Sequence, residues 1–196
     1  MKKTIKLTKQ VFLECASEYK LVWNKQCNYS SLAAVLSENS RRALEQEKKE
    51  HSAVLKLLGE TSSMILRSDS INTPFGPFIS CGQTGKQSRG LDNFTEDELF
   101  FFEEIVGNIE HPLLKARVAD LLWLLGKQRR VEYAITAVDS YRTIPIASNT
   151  FRSTALKCWE RAARLCLQIN SKKHLDSIKN QLFDAFCVDN PKINSL

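Results

Sequence analysis

Few residues in this sequence have the means to do chemistry: three histidines and six cysteines among 196 residues. The cysteines stand at 15, 27, 81, 158, 166 and 187 and never as Cys-x-x-Cys, so the zinc-ribbon and redox spacings are missing. Cys15, Cys158, Cys166 and Cys187 fall at apolar positions of helical patterns, where a reduced cysteine acts as a small hydrophobe. His51, His111 and His174 are scattered, and His-Glu-x-x-His does not occur. Glu47 and His51 lie one helical turn apart and could share a ligand or bond each other. Zinc takes three or four protein ligands, so this pair reads as a surface contact rather than a metal site. Gly82-Gln83-Thr84-Gly85-Lys86-Gln87-Ser88 has the outline of a phosphate loop, but Ser80 stands where its first glycine belongs and Gln87 where Ser or Thr must follow the lysine. It reads as a loop. Nucleophile–base dyads assemble in space, and spacing along this chain shows none. His111, directly before Pro112, reads as a helix entry. The expectation is therefore no catalytic residue, no cofactor and no metal.

Charge is the next candidate. Lys and Arg number 28 against 22 Asp and Glu, a formal charge of +6. A basic field attracts nucleic acid or acidic partners without defining a site. Basic residues cluster at Arg41-Arg42, Lys48-Lys49, Lys86 to Arg89, Lys127 to Arg130 and Lys172-Lys173. The last two clusters sit near turns between helices. Stacked hairpins would align Lys127, Arg129, Arg130, Lys172 and Lys173 on one edge, and these five are the nucleic-acid candidates, since phosphate contact needs only such a stripe. Glu132 and Asp176 are interleaved with them, as Glu45, Glu47 and Glu50 are with the earlier clusters, which favours a solvated face of mixed charge. Arg117, Asp120 and Trp123 form a different set. They lie three apart on the most apolar helix, and Arg117 and Asp120 either pair within it or tie neighbouring helices together. Either role is structural.

These residues are carried by helices. Only 7 Gly and 5 Pro in 196 residues disfavour a turn-rich β fold. A first helix starts near Thr8, with Val11, Phe12, Cys15, Tyr19, Val22 and Trp23 on one face. A second region runs from Ser30 or Ser31 through Leu36, breaks near 37–40, continues past Ala43, Leu44, Val54 and Leu58, and stops at Gly59. Residues 68–94 hold most of the punctuation and read as a long loop. Thr95-Glu96-Asp97-Glu98 is a capping box opening a helix of roughly 13 residues. Pro112 opens a helix apolar nearly all round, which must be surrounded by others, and Gly126 ends it. Helices from Val131, from Ser148 or Asn149, and from Ser171 complete the chain. The pairs 112–143 and 149–187 follow at a period near 38 residues, the range of helical repeats. The fold class is all-α: antiparallel helix pairs stacked as a short helical-repeat-like solenoid or bundle. Its organisation is N-terminal helices over 1–67, the loop at 68–94 and a hairpin array over 95–190, together one continuous domain. No stretch of about 18 apolar residues suggests a membrane span. With no apolar segment after Met1-Lys2-Lys3, a reducing cytoplasm is the expected setting.

Phe94-Thr95-Glu96-Asp97-Glu98-Leu99, Phe102-Glu103-Glu104-Ile105 and Leu114-Lys115-Ala116-Arg117-Val118-Ala119-Asp120-Leu121-Leu122-Trp123 together resemble the N-terminal helical region of a bacterial family of unknown function. Longer members of that family carry Arg-Asn-x-x-x-His-Gly in a C-terminal helical domain, similar to HEPN-type ribonucleases. That motif is absent from this sequence. The resemblance covers about a quarter of the chain and implies the non-catalytic portion. The expected function is a helical scaffold or protein-interaction module, with a protein partner or a second copy as its ligand and a nuclease-like protein as the partner implied. The alternatives are a basic nucleic-acid-binding protein and, third, an enzyme with a site near the 68–94 loop.

Overall fold

A computed structural model describes residues 6–20, 32–63, 94–128, 130–145 and 152–188, with side chains left out at 152–154 and 185–188. Among the described residues it is all helical: α1 (Lys9–Glu18), α2 (Leu32–Glu45), α3 (Lys49–Ser63), α4 (Glu96–Ile105), α5 (Pro112–Leu125), α6 (Val131–Tyr141), α7 (Arg152–Gln168) and α8 (Lys172–Val188). A 3-10 turn, Val106–Asn108, extends α4. The 68–93 part of the expected loop, including Gly82 to Ser88, lies outside the described residues, as do Val22, Trp23, Cys27, Cys81 and Arg129.

The start signals act as their chemistry requires. Thr8 Oγ1 accepts from Val11 N–H at 3.3 Å and caps α1. Thr95 Oγ1 accepts from Glu98 N–H at 3.3 Å, while Glu98 Oε2 accepts from Thr95 N–H at 2.9 Å, so both arms of the capping box are made. α4 with its 3-10 turn spans the expected length. At α5 the cap is histidine: His111 Nδ1 accepts from Leu114 N–H at 3.4 Å, with Pro112 in the first turn.

Two expected breaks are displaced. α2 runs unbroken through 37–40, because Ser40 turns inward and donates to the Ser52 carbonyl of α3 at 2.8 Å. The chain turns instead at Gln46–Lys48, with Glu47 at φ 61°. Gly59 does not stop α3. A Cβ there would stand 3.4 Å from Leu36 Cβ, so this glycine marks where α2 and α3 pack closely. Leu44, expected on the buried face, is exposed.

α2 packs most extensively on α3, and α1 crosses α3. α5, α6, α7 and α8 follow in order, each packed on the one before. α3 and α4 both lie against α5. Helices joined by short turns are antiparallel neighbours. α5 is therefore enclosed, and Leu113, Leu114, Ala116, Val118, Ala119, Leu121 and Leu122 are all buried in it. The buried side chains of all eight helices belong to one apolar cluster, from Phe12 in α1 to Ile178 in α8. Cys15, Cys158 and Cys166 are reduced and buried in it.

Candidate functional site

The centre of α5, α6 and α7 is polar. Asp120 is fully buried, yet its carboxylate has three donors. Arg161 of α7 donates Nη2–H to Oδ1 at 2.7 Å and Nε–H to Oδ2 at 2.8 Å. Tyr141 of α6 donates its hydroxyl to Oδ2 at 3.1 Å. A two-pronged guanidinium–carboxylate contact is among the stronger and more directional side-chain pairings. Arg117 lies beside it, its guanidinium carbon 5.8 Å above the Tyr141 ring. Burial, and then the Asp120 carboxylate, push the Tyr141 hydroxyl far above its ordinary range, so it stays a donor. Of the two roles open to Arg117 and Asp120, the geometry takes the second: Asp120 ties three helices together instead of pairing within α5. Arg161 escaped the sequence reading. It stands beside Ala162 on the amphipathic helix α7, and nothing local marks it as a buried partner of a residue 41 positions away.

Trp123 is the third member of the expected set. Its indole Nε1–H donates to Gln168 Oε1 at 3.1 Å, which ties the end of α5 to the end of α7. The turn after α5 and the turn after α7 therefore lie at one end of the array. That places Lys127 and Arg130 at the same end as Lys172 and Lys173, while Arg129 lies outside the described residues. Lys127 Nζ is bonded to Glu96 Oε2 at 2.9 Å, and Arg130 donates twice to Gln128 Oε1. Glu132 begins the next helix. Two of the four described candidates are thus engaged by neighbours, and the end is of mixed charge.

His51 does not pair with Glu47. Its Nε2 is 3.3 Å from Glu14 Oε2 and its Nδ1 is 3.5 Å from Glu18 Oε2, both on α1. Glu47 is turned away by its own left-handed backbone. Glu18 also holds Lys48, so the group clamps α1 to α3. Cys15, beneath the clamp, points its Sγ at the His51 carbonyl at 3.9 Å. Burial, helped by Glu18 and Glu14, pushes its thiol up to about 12, which removes it as a nucleophile at neutral pH. Among the described residues no three His, Cys, Asp or Glu side chains are placed so that they could hold a metal ion. A shallow cleft of about 150 Å³ is lined by Phe12, Leu13 and Ala16 of α1 and by Asn108 to His111 and Leu114. His111 at its floor is held neutral, since burial pushes it down to about 4.

Asp120 with Arg161 and Tyr141, and Ser40 with Ser52, are thus engaged across helix interfaces, and the class they define is an all-α helical array stapled by polar contacts. The chain belongs to a family described as a domain of unknown function (DUF7380), whose model matches residues 2–178. That span reaches from ahead of α1 into α8. Comparisons with curated proteins and with solved structures return no match. Among the described residues, no helix is long and apolar enough to cross a membrane.

Proposed function

We propose that this chain is a non-catalytic helical scaffold of the bacterial cytoplasm that binds another protein. The single observation that carries this reading is the terminal hairpin. α8 packs chiefly on α7, and large apolar side chains stand in water on both: Leu167 is 61% exposed and Phe183 is 68% exposed. The end of a helical stack needs a polar outer face unless another surface covers it. Isolated exposed apolar residues are ordinary. Two on one hairpin, the second in a helix with a single main neighbour, favour a partner. The resemblance to families with a longer, HEPN-like member makes a nuclease-like protein the partner of choice, with a second copy as the alternative. The test is native co-purification combined with light scattering, using the intact protein and the variant Leu167→Asp/Phe183→Asp. A specific complex or dimer that the double variant loses, with its melting temperature preserved, supports the reading. A strictly monomeric protein that captures nothing specific refutes it.

A second reading is nucleic-acid binding, favoured by the Trp123–Gln168 bond that gathers Lys127, Arg130, Lys172 and Lys173 at one end. Titration with RNA and DNA decides it. Phosphate contacts should be visible at roughly 50 mM salt and weaken steeply as salt rises. No binding there removes the reading.

A further inference from the structure

We infer that the outer face of α4 and the cleft at its end dock an extended, lysine- or arginine-rich segment of another protein, anchored by two apolar side chains. The inference rests on the reading of this chain as a protein-binding scaffold, but it concerns α1 and α4 and not the α7–α8 hairpin. Phe100 is 62% exposed at the middle of α4. Glu96, Asp97, Glu103 and Glu104 stand three and four residues to either side, so carboxylates ring this phenylalanine on the helix surface. Glu104 and Asn108 follow Phe100 at successive four-residue steps, and all three are exposed. Asn108 lines the cleft of about 150 Å³ whose other wall is Phe12, Leu13 and Ala16 of α1. One strip therefore runs from an exposed aromatic ring, past carboxylates, into an apolar recess. Its length is about 13 Å at the rise of a helix that ends in a 3-10 turn.

Charge complementarity selects the occupant. From Thr95 to Glu110 the chain carries Glu96, Asp97, Glu98, Glu103, Glu104 and Glu110 and no lysine or arginine, in a protein whose formal charge is +6. Lys127 reaches Glu96 from the turn after α5 at 2.9 Å. Lys9 stands one turn before Leu13 on α1, so the cations of the segment belong over α4 and one of its apolar side chains in the recess. A lone exposed phenylalanine is ordinary. Ringed by carboxylates and joined to a recess, it offers both parts of a recognition surface: apolar anchors supply affinity, and surrounding charges steer and select the partner. A volume of this size accepts a benzene-sized group. An extended chain covers the strip in about four residues, and its side chains four apart point the same way. The surface is one helix wide with a recess at one end, which suits an extended segment better than a helix laid in a long groove.

The experiment uses the full chain and a fluorescein-labelled synthetic peptide, Lys-Ala-Leu-Lys-Ala-Lys-Leu-Ala-Lys, whose leucines are four apart. One control peptide has serine for leucine and another has glutamate for lysine. Fluorescence anisotropy is read at about 50 mM salt, where surface charge is weakly screened. The expected result is saturable binding, at least about tenfold weaker for the serine peptide and absent for the glutamate peptide. Leu13→Ser and Phe100→Ser should each weaken binding at least about fivefold, and Glu104→Lys/Glu110→Lys at least about tenfold. All four side chains are at the surface, so the melting temperature should be preserved. Leu167→Asp/Phe183→Asp should leave the affinity unchanged, so this strip and the terminal hairpin stand or fall separately. The proposal is overturned by an absence of saturable binding, by a serine peptide that binds as tightly as the leucine one, or by an affinity that either Leu13→Ser or Phe100→Ser leaves unaltered. Self-association that Phe100→Ser abolishes would make a second copy the occupant and overturn it too.

Discussion

Replacing Asp120 by asparagine should be among the most damaging single changes available to this protein. The side chain has no exposure to solvent, and its three donors come from two other helices. Asparagine is the same size and opens no cavity, so the cost is electrostatic. One oxygen becomes an NH2 group, which faces Arg161 or the Tyr141 hydroxyl with a donor where an acceptor was. Arg161, only 8% exposed, keeps its charge and loses the two-pronged contact with this carboxylate, and Arg117 nearby adds a second cation. Removing one partner of a buried pair costs about 3–5 kcal/mol. A domain of this kind is stable by roughly 5–15 kcal/mol, so the variant loses a large fraction of its margin. Urea unfolding at pH 7, followed by circular dichroism and by the fluorescence of buried Trp159, measures the loss. The partner experiment is Asp120→Leu/Arg161→Met. Most of the penalty comes from leaving one end of a buried pair behind and not from a lost attraction, so deleting both ends should recover at least about half of it. The reasoning is refuted if Asp120→Asn stays within about 1 kcal/mol of the original protein, or if the double variant is no more stable than the single one.

Other outcomes follow from the same geometry. The imidazole of His111 is near 6.5 when unfolded and about 4 when folded, so its contribution is present above pH 6.5 and is lost as pH falls towards 4. Between pH 7 and pH 5 this removes about 2 kcal/mol, and His111→Asn, which preserves an N-cap acceptor, should flatten that part of the stability–pH profile. The two glycines at helix contacts should respond in opposite directions. Gly59→Ala, mid-helix with its nearest neighbour at 3.4 Å, should stabilise by up to about 1 kcal/mol in thermal unfolding. Gly126→Ala places a Cβ 2.4 Å from the Leu122 carbonyl oxygen and should destabilise by about 1–3 kcal/mol. Cys15 should resist alkylation at pH 8 in the folded protein and react only on unfolding, as peptide mass spectrometry would show. Rapid native labelling would contradict its burial.

What could be read from the sequence was what lies within a few residues along the chain. The Thr95 capping box, the Pro112 start and the apolar stripe of α7 each depend on contacts between residues three or four apart, and the structure repeats them. Gly59 misled because a glycine ends a helix in one setting and lies within a helix, facing a packed neighbour, in another. The difference lies in Leu36 of α2, 23 positions away. Ser40 gave the same kind of false break, since its hydroxyl found a partner on α3 instead of competing with its own helix. The central site was half visible. Arg117 and Asp120 stood out as charges on an apolar helix, but their partners Tyr141 and Arg161 are set by the packing of three helices. The basic clusters were visible as composition, and only the Trp123–Gln168 bond shows that two of them share an end.

The Asp120 contact also bears on how the array comes together. In a stack of independent hairpins, each pair is a free-standing unit and stability accumulates one unit at a time. Here the carboxylate on α5 is satisfied by the helix that opens the next hairpin, so α5 and α6 alone would enclose a buried charge without its counter-ion. The smallest cooperative unit is then three helices wide and straddles the boundary between hairpins. Hydrogen exchange should show α5, α6 and α7 opening together, while α8, held mainly by α7, exchanges first.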